Sequence, residues 1–198
     1  SAQILSQAAT GYNISVTVSG LRDSTLYLAY HFGDKQYLRD SVILDTKGTG
    51  VFKGAESLPH GIYMIVLPGR TYFEILISDD QQFGVTCSFK DFYNTLEFKG
   101  SEENSYFIKY QRNWVAMQQE AASIGRRIQA NKQNSDSLKL LTEIQKSGEQ
   151  SRIDYLHKVI EDNKGNLLSM LVKSMLPINV PEFDIPAGTH NPDSVRWI

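Results

Sequence analysis

Along the first half of the chain apolar and polar positions alternate in short runs, and near residue 100 the repeat lengthens to between three and four. Tyr12, Ile14, Val16 and Val18 alternate with Asn13, Ser15 and Thr17, the pattern of a strand with one face buried. Gly20 to Asp23 reads as a turn, and Leu26, Leu28, Tyr30 and Phe32 form the next inward set. Gly33-Asp34 predicts a hairpin before Tyr37 to Leu44, and Asp45 to Gly50 predicts another before Val51-Phe52. Ile62 to Leu67 is apolar throughout and rich in β-formers, which predicts a central strand covered on both faces. Pro68-Gly69 turns the chain into Tyr72 to Ile77, and Asp79-Asp80 separates that run from Phe83 to Phe89. About seven to nine strands at this spacing predict an antiparallel β-sandwich or open barrel over residues 1–100.

The change of period falls between Leu96 and Tyr110. Leu96 and Phe98 finish the alternating region, Gly100 is a break, Ser101 is a good N-cap, and Glu102 and Glu103 place negative charge on a first helical turn. Phe107, Tyr110, Trp114, Met117, Ala121, Ile124 and Ile128 then recur at alternating steps of three and four, a long amphipathic helix ending near Ala130 to Asn134. Such a seam serves either self-association or packing on the next helix of the same chain. The second is adopted, because Asn134-Ser-Asp136 supplies a turn and fresh cap before Leu138, Leu141 and Ile144. Ser147-Gly148 weakens that second helix, leaving one kinked helix or two, with Ile153, Leu156 and Ile160 beyond. Asn163-Lys-Gly165 reads as a stop, and Leu167 to Leu176 as a short apolar helix. The expected class is therefore α+β, with a helical hairpin or bundle over 101–176. Residues 177–198, with Pro177, Pro181, Pro186 and Pro192, read as an extended linker to a missing downstream domain.

Composition narrows the function classes. With 20 basic and 22 acidic residues and a net charge of -2, nothing forms a nucleic-acid or membrane-surface footprint. The longest uninterrupted apolar run, Ile62 to Leu67, is far short of the roughly 20 residues of a spanning helix. The lone Cys87 excludes an intramolecular disulfide and a Cys-x-x-Cys pair, and it shares a strand face with Phe83, Val85 and Phe89 as a buried hydrophobe would. Ser1 to Thr10 shows no signal peptide, although a short polar leader suits a mature exported chain.

Candidate chemistry fails on spacing. Gly48-Thr-Gly50-Val-Phe-Lys-Gly54 has its third glycine one place late for a dinucleotide fingerprint, and it reads as a β-turn. Asp45-Thr-Lys47-Gly48 puts a lysine at the second ligand position of a calcium loop and has no bidentate glutamate at the right distance. His31, His60, His157 and His190 form no ligand pair and stand beside no nucleophile. The acidic pairs Asp79-Asp80, Glu102-Glu103 and Glu161-Asp162 fall at a turn, a helix start and a helix end. The 10 tyrosines and 9 phenylalanines sit mostly on alternating or heptad positions, as core residues do. No catalytic, cofactor or metal residue is assigned, and the chain reads as a non-enzyme.

The order of parts resembles a known family. Gly11-Tyr-Asn-Ile-Ser-Val, Gly20-Leu-Arg-Asp-Ser-Thr-Leu-Tyr-Leu-Ala-Tyr, Gly33-Asp-Lys-Gln-Tyr, Asp40-Ser41 before Val42-Ile43, Gly48 to Gly54, Gly61-Ile-Tyr-Met and Gly100-Ser-Glu-Glu-Asn-Ser-Tyr-Phe look like the N-terminal region of exported thioredoxin-like proteins of Bacteroidetes. In that family a β-sandwich and helical segment precede a thioredoxin-fold domain similar to the ResA and TlpA type of thiol-disulfide oxidoreductase. The resemblance reaches to about Leu176. No Cys-x-x-Cys is present, so redox activity is carried onto no residue here. The resemblance implies a periplasmic or envelope location, an upstream lipid anchor, and Asp-Ser-aliphatic tripeptides at Asp40, Asp136 and Asp193 in the form of O-glycosylation acceptors.

The expected function is a non-catalytic accessory region that positions a downstream thioredoxin-like domain or recognises its client by surface contacts. The rival is a stand-alone envelope module binding a glycan or peptide, which aromatics clustered on one exposed sheet face would favour. A third reading, a hydrolase, needs a pocket that gathers His60 or His157 with acidic residues.

Overall fold

The computed structural model describes residues 11–33 and 35–176, the side chain of Phe32 excepted. Eight strands are followed by the helical layer: β1 (Tyr12–Ser19), β2 (Thr25–Phe32), β3 (Lys35–Ile43), β4 (Thr49–Gly54), β5 (Gly61–Val66), β6 (Tyr72–Ile77), β7 (Gln82–Ser88), and β8 (Glu97–Lys99). A short α1 (Phe92–Thr95) precedes β8, and α2 (Glu102–Ala130), α3 (Ser135–Asp162) and α4 (Leu167–Lys173) complete the chain. The class is α+β, as the change of period implies. The proposed linker 177–198 lies outside the described residues.

The strands form two separate sheets, β4-β1-β7-β8 and β3-β2-β5-β6, so the β part is a sandwich and not an open barrel. Period-two burial puts Ile14, Val16 and Val18 of β1 against Leu26 and Leu28 of β2 and Ile65, Ile75 and Ile77 of β5 and β6 in one core. Two expectations about pairing need correction. The turn at Asp45 to Gly50 does not close a hairpin, because β3 is in one sheet while β4 pairs with β1 in the other. Asp45 accepts from the N–H groups of Lys47 and Thr49 at 2.8 and 2.9 Å, and this local turn reverses the chain whichever sheet the next strand joins. Gly48 occupies it at φ +79°, where a Cβ would meet the carbonyl oxygens of Leu21 and Val18 at 2.5 Å. Nor is the sandwich wholly antiparallel: β1 and β7 run parallel. Parallel neighbours need a long connection, and β2 through β6 supply it.

The strand expected over Phe83 to Phe89 ends at Ser88, where Phe89 enters a single 3₁₀ turn running into α1. At the change of period, Ser101 caps α2 by accepting from the Asn104 N–H, with Glu102 and Glu103 in the first turn. The helix seam packs within the chain: Phe107 and Tyr110 join Leu156, Val159, Leu168 and Val172 in a second core. That core also takes in Leu76 of β6 and, at its margin, Ile62 of β5. Helices therefore cover the outer side of the second sheet over β5 and most of β6, which is why Tyr63, Met64 and Ile65 are all buried. The helix α3 runs as one element through Ser147-Gly148, which removes the alternative of two helices. One helical glycine costs about 1 kcal/mol relative to alanine, a penalty that burial of Leu141 on one side and Leu156 on the other outweighs.

Candidate functional site

The sequence-level candidates stay apart. His60 meets Asp79 at 3.3 Å on the surface, with both side chains exposed. His31 approaches Gln36, and His157 lies exposed on α3. His190 is outside the described residues. Among the described residues no three His, Cys, Asp or Glu side chains could hold a metal ion, and no helix is long and apolar enough to cross a membrane. Cys87 is buried on the inner face of β7, and burial pushes its thiol up to about 11. Of the acidic pairs, Glu161 and Asp162 make helix-end contacts with Lys164 and Lys158. Ser41 lies exposed on β3 and Ser137 in the first turn of α3; Ser194 is outside the described residues.

Glu103 does more than its helix position suggests. One carboxylate oxygen accepts from the Ser78 hydroxyl at 2.6 Å and the other from the Leu168 N–H at 2.8 Å, joining the sandwich, α2 and α4. One residue on, Asn104 makes a two-point contact with β6. Its Oδ1 accepts from the Leu76 N–H at 2.7 Å and its Nδ2 donates to the Leu76 carbonyl at 2.8 Å. The side-chain amide thus replaces a neighbouring strand at an open sheet edge. The signal for it was in the sequence: stepping the heptad back from Phe107 by three reaches a polar residue on the apolar seam.

These anchors decide how much of the sheet the helices reach. Opposed residues in a ladder share a face, so the outer face of β3-β2-β5-β6 can be traced row by row. One row contains Ser41, Tyr27, Val66 and Tyr72; the next contains Leu38, Ala29, Met64 and Glu74. A bulge makes this arrangement. The register slips between Leu28 and Ala29, leaving Arg39 unpaired, so that Tyr37 turns inward and stacks on Tyr30 while Leu38 turns outward. The helices bury Met64 and Leu76. Beyond them Leu38 is 64% exposed, Ile43 71%, Tyr27 43% and Tyr72 48%, all on this one outer face. Nothing described covers them. Alternation already sets Tyr27 opposite the inward set of Leu26, Leu28 and Tyr30; it tells which face a residue takes, but not whether that face is covered.

Two tyrosines of the helical layer are packed inside it instead, while Tyr106 on α2 is exposed. Tyr110 stacks between Trp114 and Tyr155, and burial pushes both Tyr110 and Tyr155 up from the ordinary phenol range. The groove between the far parts of α2 and α3, about 270 Å³, is lined by Met117, Ala121 and Ile144 together with Glu120, Ser151 and Arg152, and gathers no His.

No curated protein matches the chain. A family model described as a domain of unknown function (DUF4369) matches residues 12–107, from the first residue of β1 to the second turn of α2, and so encloses both sheets together with Ser101, Glu103 and Asn104.

Proposed function

We propose that this chain is a non-catalytic interaction region of an exported protein, which positions a downstream thioredoxin-like domain or recognises that domain's client through surface contacts. The observation that carries the reading is the uncovered apolar strip of Tyr27, Leu38, Ile43 and Tyr72 beside the helical layer. An apolar strip on one sheet face, next to an already covered half of the same sheet, suits docking of another protein surface. The thioredoxin-like partner and the envelope location rest on the sequence resemblance. A second reading, an envelope module for glycan or peptide, draws support from Tyr27 and Tyr72, which flank Val66 in one row as two exposed rings.

The test places a photo-crosslinking amino acid at position 38 or 43 in the protein made in its native cells, with position 139 on α3 as control. Cross-linked peptides from a thioredoxin-fold domain, whether of the same polypeptide or of a client, support the first reading. Cross-links to carbohydrate alone favour the second. Identical products from positions 38, 43 and 139 refute both.

A further inference from the structure

The open edge of β6 carries a second feature, on the far side of the sheet from β3. Among the described residues β6 pairs only with β5. Both backbone groups of Leu76 point away from β5, since Asn104 takes them both. Alternation along an antiparallel strand gives the same outward direction to the backbone N–H and C=O of Glu74 and Tyr72. Beside them lies a cleft of about 380 Å³, walled by Tyr72, Phe73, Phe92 and Tyr93, with Glu74 and Gln111 among its lining residues.

Its chemistry is unbalanced. Glu74 is half-buried, and Gln111 donates to one carboxylate oxygen at 3.0 Å. No cation pairs with Glu74 among the described residues. Arg112, nearby on α2, is already committed: it donates to the Tyr93 carbonyl at 2.7 and 3.1 Å and to the Leu96 carbonyl at 3.0 Å, fixing the α1 segment that forms one wall. The Tyr93 hydroxyl is buried with no hydrogen-bond partner among the described residues. Aromatic faces around an uncompensated carboxylate attract an organic cation on an apolar stem, through ring quadrupole and charge together. An unpaired strand edge attracts extended main chain.

We propose that this cleft binds an extended peptide segment, which pairs with the β6 edge at Glu74 and inserts a lysine or arginine side chain between the aromatic walls toward the Glu74 carboxylate. This deepens the interaction-region reading and rests on it. It names the chemistry of one recognised element: a strand-like segment with a basic residue.

The test titrates the full ¹⁵N-labelled chain with a capped heptapeptide of alternating valine and threonine around a central lysine, and with the same peptide bearing norleucine there. Saturable amide shifts at Tyr72 to Glu74 and at Tyr93 are expected, with the lysine peptide binding about tenfold tighter than norleucine, the effect of one partly screened charge-assisted contact. Glu74→Gln should remove that preference, bringing the affinities of the two peptides together. Tyr72→Ala, at an exposed wall where folding is not at stake, should weaken both peptides. Equal binding of the two peptides, shifts confined to β3, shifts at these amides with a neutral oligosaccharide but not with peptide, or no shift at millimolar peptide would each overturn the proposal. If the cross-links from positions 38 and 43 persist while the cleft stays silent, the cleft inference falls alone.

Discussion

Replacing Asn104 tests whether one side-chain amide holds the helical layer onto the sandwich. Asn104 is 1% exposed, and both of its polar atoms serve the backbone of Leu76, itself 1% exposed. Asn104→Ala would leave a buried N–H and a buried C=O without partners, at about 1–3 kcal/mol each. Partial relaxation of the edge makes a total loss of about 3–4 kcal/mol the working figure, a large part of the roughly 5–15 kcal/mol that a domain commands. At about 2–4 °C per kcal/mol for a chain of this size, the melting midpoint should fall by roughly 10 °C. Urea unfolding gives the energy, and hydrogen exchange gives the place: the Leu76 amide should lose protection before amides of the inner strand β1.

A second substitution separates hydrogen bonding from shape. Asn104→Asp keeps the acceptor for the Leu76 N–H but sets a carboxylate oxygen against the Leu76 carbonyl, where a donor stood. Burial and that lone-pair opposition both favour the protonated acid, which restores the donor, so the folded pKa of this variant lies above the unfolded value of about 3.9. The variant should therefore be least destabilised in acid, and should lose stability relative to the parent as pH rises from about 4 through its raised folded pKa. A loss below about 1 kcal/mol for Asn104→Ala, or a pH-independent cost for Asn104→Asp, would refute the reasoning.

Other consequences are more local. Cys87, with its thiol pushed up to about 11 by burial, should resist iodoacetamide in the folded protein at pH 8 and react promptly in urea; rapid labelling of folded protein would contradict its burial. Tyr12 donates to Asp40 at 2.9 Å and is pushed up to about 12, first by burial and then by that bond. Its contribution is fully present below pH 10 and is lost as pH rises from 10 toward 12, and Tyr12→Phe should cost about 1 kcal/mol at neutral pH by urea denaturation and abolish that dependence. Gly48→Ala should lower stability by more than about 1 kcal/mol, because the positive φ and the two carbonyl oxygens at 2.5 Å both oppose a Cβ; an unchanged melting midpoint would show that the turn can rearrange. Leu38→Lys and Ile43→Lys should each move stability by no more than about 0.5 kcal/mol, while Leu38→Lys removes the cross-links from a probe at position 43 and Ile43→Lys those from a probe at position 38; a larger loss of stability would assign these side chains to folding.

What could be read from the sequence was what neighbours in the chain decide. The start of α2 was legible because a serine cap and two glutamates act within a single turn, and the Asp45 turn because its hydrogen bonds span four residues. Which sheet receives β4 was not, since the same turn serves a hairpin or a crossing between sheets. The bulge at Arg39 was equally hidden. Tyr37 to Leu44 has apolar residues at 37, 38, 42, 43 and 44, a pattern that permits two registers, and the Tyr30–Tyr37 stack selects one only in three dimensions. Glu103 and Asn104 were visible as residues but not as contacts. Their partners Ser78, Leu168 and Leu76 lie 25, 65 and 28 residues away.

The two outer faces of the sandwich explain why the candidate surface lies where it does. Ser15, Thr17, Lys53, Thr86, Glu97 and Lys99 share the outward face of β4-β1-β7-β8, which water can solvate without a further layer. The opposite outer face carries Ile43, Leu38, Tyr27, Met64, Val66 and Leu76, and needs cover. The helical layer supplies cover from the β6 side, because its polar anchors, Glu103 to Ser78, Asn104 to Leu76 and Gln111 to Glu74, all engage β6 or the residue after it. Among the described residues no comparable polar residue on α2 or α3 bonds to β2 or β3. A layer fastened along one edge covers the strands nearest that edge, so the apolar residues of β2 and β3 are left open, joined by Tyr72, which starts β6 two residues before the first anchored position, Glu74. The strip is thus a consequence of where the helices are fastened, and a surface that docks there would complete a layer that this chain only half provides.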